Sequence, residues 1–326
     1  MARRSAPGAG HTGEAALRIA INAKPVSGPW GGGNQFALQL AAHLRAGGHS
    51  VSHRLWPWTE RILLVAPRPF QNVTFDIDDI RRFKVRHPSA KCVHRINQTS
   101  LGRGAANVDG LFQQANEVAD STVFISAWVR DYFAARWFNL DRPHTVIHNG
   151  ADSSIFYPSA VGWDRSVELC RLVTHHWSDN WNKGFAVYQE VDRLIADHEL
   201  TGFELSVIGR WPQEITWRVA HTNPPVPPPQ LGEQLRRHHL YLTAAVAEAG
   251  GMHHIEGAQC GLPLVYHEDG GGVVELGRQY GIGFRDHVRD ALLAARDRYA
   301  ELREQVLRLA PSGSRMCSEY ERILTA

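Results

Sequence analysis

Two carboxylates eight positions apart, Glu248 and Glu256, enclose a glycine pair in Glu248-Ala-Gly-Gly-Met-His-His-Ile-Glu256. The segment follows a strand-like run, Leu240-Tyr-Leu-Thr243. Gly250 and Gly251 would open a helix whose first free N–H groups, that of Met252 included, and positive dipole end suit a diphosphate. Glu256 lies just over one turn inside that helix. Helical side chains lean toward the N-terminus, so its carboxylate reaches toward a ribose diol beside the phosphates. Glu248, on the preceding loop, accepts hydrogen bonds from sugar hydroxyls. Lys183 is one of only four lysines among 35 basic residues and precedes Gly184 at a helix start. Stabilising negative charge that grows on a departing phosphate is the chemistry this set offers.

The elements that must position these residues alternate in type. Leu17 to Asn22 reads as a strand, Gly28 to Gly33 as a glycine-rich turn, and Phe36 to Leu44 as a helix with apolar residues at helical spacing. Strands at 51–55, 62–65, 92–96, 122–125 and 146–147 follow, with helices such as 105–118 and 127–135 between them. The second half begins again with a strand at 169–174 and a helix from about 185 to 196, then strands at 205–208, 240–243 and 262–266. A Pro-rich surface loop is expected at 224–229, one long polar helix at 288–310 and a short final helix at 315–324. Alternation of this kind predicts parallel sheets, and in such sheets ligands collect outside the carboxyl ends of the strands. The expected fold is therefore α/β, two Rossmann-like domains. A tail occupies 1–16, the first domain 17–150, a linker 151–163, the second domain 164–312, and a C-terminal segment 313–326.

Bulk composition narrows the function. A net charge of +2 in 326 residues, without a long basic block, argues against a nucleic-acid partner. Cys92, Cys170, Cys260 and Cys317 form no CxxC, and the adjacent histidine pairs lack the spacing that would put both rings on one helix face, so neither a disulfide scaffold nor a metal site is expected. No apolar h-region or membrane span is readable, which leads to the expectation of a reduced, cytoplasmic protein. Peripheral membrane contact stays open, although no basic amphipathic helix stands out. The oligomeric state is not fixed by the sequence.

Five motifs stand in order: Gly31-Gly-Gly33; Val146-Ile-His-Asn-Gly-Ala-Asp152 with Phe156-Tyr-Pro158; Lys183-Gly184; Glu248 to Glu256 followed by Cys260-Gly-Leu-Pro263; and Gly270 to Glu275. In this the chain resembles the retaining glycosyltransferases of family four, over nearly its whole length. The resemblance implies the GT-B fold, with the two domains facing across a cleft and the last helix crossing back to the first domain. It implies transfer of a sugar from a nucleotide-diphosphate donor, UDP being the default base, with no cofactor beyond that co-substrate and no metal. The acceptor, a small molecule, glycan or lipid-linked group, would lie against the N-terminal domain near Gly31 to Gln35 and the loop after His94. Glu248, Lys183 and His94 take the catalytic positions. Glu256, Gly250, Gly251, Met252, Gly32 and Gly33 take the donor.

The chain departs from the family where an arginine usually precedes the lysine by about five residues. Thr174-His-His-Trp-Ser-Asp-Asn-Trp-Asn182 holds none; Ser178 stands at the expected spacing, and His175 or His176 would replace the charge only in a longer loop. Arg210, in Ile208-Gly-Arg-Trp-Pro212, is either a further nucleotide contact or a surface arginine. The same architecture also hosts epimerases, phosphorylases and non-catalytic nucleotide-sugar-binding subunits. A nicotinamide oxidoreductase fits least, because Gly31 to Gly33 is not a GxGxxG.

Overall fold

Short aliphatic runs too brief for helices become strands, and amphipathic segments between them become the helices that cover the sheets. In the computed structural model, which describes residues 16–26, 31–67, 72–103, 107–160, 162–166 and 169–326, the first half contains β1 (Arg18–Ile21), α1 (Gly32–Ala46), β2 (Ser50–Ser52), β3 (Arg61–Leu64), α2 (Ile77–Arg86), β4 (Lys91–Ile96), α3 (Ser100–Arg103), α4 (Val108–Asn116), β5 (Ser121–Phe124), α5 (Ala127–Ala134) and β6 (His144–Val146). Residues 1–15 of the expected tail and Gly28 of the glycine-rich turn lie outside the described residues. All six strands are parallel, in the order β2-β1-β3-β4-β5-β6.

The second half contains β7 (Cys170–His176), a single 3-10 turn at Trp181–Lys183, α6 (Phe185–Ala196), β8 (Phe203–Gly209), β9 (His221–Asn223), α7 (Pro228–Leu235), β10 (Leu240–Thr243), α8 (Met252–Gln259), β11 (Leu264–His267), α9 (Val273–Tyr280), β12 (Gly281–Phe284), α10 (Val288–Asp297), α11 (Tyr299–Leu309) and α12 (Gly313–Thr325). Its sheet is also parallel and six-stranded, ordered β12-β11-β10-β7-β8-β9. This is the dinucleotide-fold order, with the chain reversing direction across the sheet between β7 and β10. Both domains are Rossmann-like, as the alternation of elements predicts.

Strands covered on both faces explain the near-continuous apolar runs. Ile62, Leu63 and Leu64 of β3 are all inaccessible to solvent. Phe36, Leu40 and Leu44 of α1 cover one face of the first sheet, while Ile80 and Phe83 of α2 belong to the cluster on the other. In the second sheet, Phe185, Tyr188 and Leu292 pack in one cluster and Leu231, Ile255, Leu276 and Val306 in another.

The chain crosses between domains twice. After β6 it runs through Gly150 and Ala151, and after α11 it returns through Pro311 to α12. The crossings lie side by side, with Ala151 N–H donating to Pro311 O at 3.2 Å and Gly313 N–H to Ala151 O at 2.7 Å. α12 packs on the first domain: Met316, Cys317, Tyr320 and Leu324 join the cluster of Phe36 and Leu40.

The expected helix over 288–310 is two helices. It turns at Arg298, so that Leu292 faces the α6 side while Val306 of α11 reaches the α8 and α9 side. The Pro-rich stretch likewise ends in a helix, since Pro228 occupies the first turn of α7, where a missing N–H costs nothing.

Candidate active site

Each sheet has one place where successive connections leave in opposite directions, and the loops there open a crevice. In the second sheet these are the loops after β7 and β10, which carry Lys183 and Glu248. In the first, the loop after β1 leads to Gly31 and α1. They meet on one cavity of about 580 Å³ between the domains, lined by Gly31, Gly32 and Gly33 on one side and Lys183, Glu248 and Gly250 to Met252 on the other.

Two helices begin at this cavity. α1 starts after Gly31 and α8 after Gly251; neither has a side-chain cap or an acidic residue in its first turn. Both N-termini therefore present unneutralised N–H groups. The loop leading to α8 is tight: Gly250 has φ 150°, and a Cβ there would lie 3.2 Å from Ile125 Cδ1 and 3.3 Å from its carbonyl oxygen. The φ alone calls for glycine, and the close approach of Ile125 tightens the fit further. Ala247, two residues upstream of Ala249, has φ 51°, an uncommon conformation for a residue with a Cβ.

Lys183 is delivered by the 3-10 turn, which Asn180 starts by accepting the Asn182 N–H on its side chain at 2.9 Å. Asn182 O in turn accepts the Val246 N–H at 2.9 Å, tying the two loops together. The Lys183 ammonium donates to Glu248 Oε2. Burial alone would raise the Glu248 carboxyl, but the charge and hydrogen bond of Lys183 outweigh it and hold the group below the usual range. The Gly270 to Gly272 turn braces the same loop, with Gly272 N–H donating to Glu248 O at 2.8 Å.

Glu256 lines the cavity and is 5% exposed. One of its oxygens, Oε2, is taken by His175 Nε2 at 2.7 Å, and His175 Nδ1 lies 3.1 Å from the Tyr241 hydroxyl. Its other oxygen has no protein partner among the described residues. His175 is thus committed to Glu256 rather than available as a phosphate cation. His176 does not supply the charge either: burial, with Lys183 nearby, pushes its ring well below the usual pKa, so it is neutral, with Nε2 between Thr174 Oγ1 and the Tyr188 hydroxyl.

Ser178 lines the cavity, and its hydroxyl accepts the Asn180 N–H at 3.2 Å. Arg210 is exposed after β8 and is not among the cavity's lining residues. His94 is not among them either. It is completely buried on the other face of β4, stacked on Phe112 with Nδ1 3.2 Å from Asn116 Nδ2, and burial lowers its pKa to about 3. Adjacent residues of a strand point to opposite faces, so the cavity receives Arg95 and Asn97 instead.

Glu275 has a role that local reading missed. Its carboxylate accepts the Ala127 and Trp128 N–H groups at 3.0 and 2.6 Å, at the start of α5 in the other domain, and lies 2.8 Å from His148 Nε2. Among the described residues no cluster of three or more His, Cys, Asp or Glu side chains is arranged to hold a metal, and no helix is long and apolar enough to cross a membrane.

No family model and no curated protein matches the chain by sequence. Solved structures match it by shape. Sucrose-phosphate synthase from Thermosynechococcus elongatus is 13% identical, with 94% of this chain and 98% of that one covered and a TM-score of 0.64. Anabaena HepE, in complex with UDP and glucose, is 11% identical, with 95% and 100% covered and a TM-score of 0.65. WaaG, a glycosyltransferase involved in lipopolysaccharide biosynthesis, is 14% identical, again with 95% and 100% covered and a TM-score of 0.65. The likeness establishes the fold: two Rossmann-like domains facing across a cleft, the GT-B arrangement.

Proposed function

We propose that the chain is a glycosyltransferase that moves a sugar from a nucleoside diphosphate donor to an acceptor held by the N-terminal domain, with retention of configuration and without a metal. The observation that carries this reading is the convergence of two uncapped helix N-termini and the Lys183 ammonium on one interdomain cavity. That combination suits a diphosphate, whose charge grows as the anomeric bond breaks. A UDP-sugar is the first donor to try, on the strength of the UDP seen in one protein of the same fold.

Lys183 has three donors and spends one on Glu248, leaving two for phosphate oxygens. Glu248 holds a sugar hydroxyl on its remaining oxygen, and the free oxygen of Glu256 holds the ribose. In the transfer step the anomeric carbon–phosphate oxygen bond breaks and an anomeric carbon–acceptor oxygen bond forms on the same face. The acceptor hydroxyl proton passes to the departing phosphate oxygen. Closure about the paired crossings at Ala151 and Pro311 would bring donor and acceptor together. The four cysteines are buried free thiols, which supports a reducing, cytoplasmic setting.

A second reading, a nucleotide-sugar-binding chain without turnover, draws on the missing arginine near Ser178 and on the neutrality of His176. The experiment is a melting series with UDP, GDP, ADP, dTDP and NAD on the wild type and Glu256→Ala. A ligand at a hundred times its dissociation constant adds about 2.7 kcal/mol, a shift of a few degrees. Stabilisation by one nucleoside diphosphate, lost in Glu256→Ala, is expected; no response, or a response to NAD alone, overturns the reading. Release of that diphosphate from its sugar conjugate in the presence of acceptor separates transfer from binding.

A further inference from the structure

Arg95 is a cation buried without a carboxylate partner among the described residues. It is 1% exposed, yet it borders the interdomain cavity. Its Nη2 donates to Asn149 Oδ1 at 2.8 Å, and its guanidinium carbon lies 4.0 Å from the centre of the Phe36 ring. Nε and Nη1 are buried and make no hydrogen bond of good geometry among the described residues. Burial pulls the guanidinium below the ordinary arginine range, and the neighbouring Tyr320 hydroxyl, near enough to interact with it though outside good hydrogen-bond geometry, opposes that shift.

For stability alone this is a poor arrangement, since an unpaired buried charge is disfavoured against an apolar side chain of similar shape. A guanidinium is, however, the side chain suited to oxyanions. The uncapped N-terminus of α1 opens on the same cavity, and Phe36, on which Arg95 rests, belongs to the second turn of that helix. Asn149 also donates from Nδ2 to Gly250 O at 2.7 Å, so one side chain joins Arg95 to the loop before α8.

We propose that Arg95 is the anion-recognition residue of the N-terminal half of the cleft, taking a phosphate or carboxylate oxyanion through the edge of its guanidinium that borders the cavity. Two sources offer such a group: the donor diphosphate, for which Arg95 would supply from the opposite domain the positive charge missing near Ser178, or an anionic group on the acceptor. The inference rests on the glycosyltransferase reading only for the ligand that shares the cavity.

Calorimetric titration of the full chain with inorganic phosphate, pyrophosphate, UDP and uridine tests it, comparing wild type with Arg95→Met, which keeps a side chain over Phe36 and removes the charge. At least tenfold weaker anion binding in the variant is expected. If pyrophosphate and UDP both weaken while uridine does not, the source is the donor. If UDP is unchanged and the lost event is phosphate binding at saturating UDP, the source is the acceptor. Equal anion binding by both proteins, including none by either, overturns the proposal and leaves Arg95 as a brace between Phe36 and Asn149. Absence of UDP binding by the wild type, with Arg95-dependent phosphate binding intact, would sink the glycosyltransferase reading and not this one. Should Arg95→Met fail to fold, Arg95→Lys keeps charge and packing but loses the planar fork: a threefold or greater loss is expected, and no loss overturns the proposal.

Discussion

Gly32, in the first turn of α1, stands against Met252, in the first turn of α8, so closely that a Cβ at position 32 would overlap Met252 Cγ. The positive ends of helices from opposite domains are thereby brought together. A branched side chain at position 32 has to displace the Met252 side chain or move the two helix ends apart. Gly32→Val is expected to weaken nucleoside diphosphate binding about tenfold, equivalent to roughly 1.4 kcal/mol, with little change in the melting temperature of the ligand-free protein. Titration with UDP checks this; wild-type affinity would mean that the two helix ends do not share a ligand.

Replacing Lys183 removes the ammonium and strands the Glu248 carboxylate that it neutralises. Loss of one contact to developing charge typically raises a barrier by about 3 kcal/mol, on the order of a hundredfold in rate. Lys183→Met should show that loss in kcat. A variant with full turnover and unchanged donor affinity would remove Lys183 from the mechanism.

The same pair predicts a pH dependence of stability. Burial would raise both Glu248 and Glu275, but Lys183 acts on the first, and His148 with the Trp128 and Ala127 N–H groups acts on the second, leaving both below the ordinary glutamate value of 4.5. Folding therefore favours the ionised carboxylates. Their contribution is complete above about pH 4.5 and is lost as pH falls through their lower folded-state values. The melting temperature should drop below about pH 4.5, and Glu275→Gln should flatten that drop while lowering stability at neutral pH by about 2 kcal/mol through the lost charge-assisted bonds. An identical pH profile for the variant would contradict the assignment.

Placement is legible in the sequence wherever it depends on neighbours along the chain. Gly250 before α8, Glu248 on its loop and Lys183 in its turn all stand where strand-end loops place them. His94 shows the limit. Strand alternation separates His94 from Arg95, but both faces of β4 are buried, so apolar patterning does not say which face borders the cleft. Glu275 depends on α5, nearly 150 positions away, and no local pattern announces that pairing. β9 is a polar edge strand and β12 begins with Gly-Ile-Gly, so neither carries a β-branched run. The turn at Arg298 has no Gly or Pro to mark it; it follows from two surfaces that one straight helix would not cover.

Tyr320 of α12 meets Phe36 of α1 edge-on, with ring centres 4.9 Å apart, and is inaccessible to solvent. Glu321 beside it reaches His43 at 2.9 Å and His49 at 3.1 Å. Truncating a buried aromatic costs about 3–5 kcal/mol, so Tyr320→Ala should melt well below wild type, and removal of 313–326 should expose the α1 face to early proteolysis. A truncated chain with wild-type melting behaviour would show that α12 contributes nothing to the first domain.

The free oxygen of Glu256 leads to the last prediction. His175 fixes Oε2 and is itself fixed by Tyr241, so the carboxylate cannot rotate without breaking a buried contact. A carboxylate held in this way and aimed at a ribose should distinguish UDP from its 2′-deoxy analogue, because the analogue leaves a buried acceptor unpaired, a cost of about 1–3 kcal/mol. The wild type should prefer UDP by about tenfold or more. In His175→Phe, Glu256 loses its anchor, and the preference should shrink while pyrophosphate binding stays as in the wild type. Equal affinity of the wild type for both nucleotides would mean that Glu256 braces β7 through His175 and takes no part in holding the ribose.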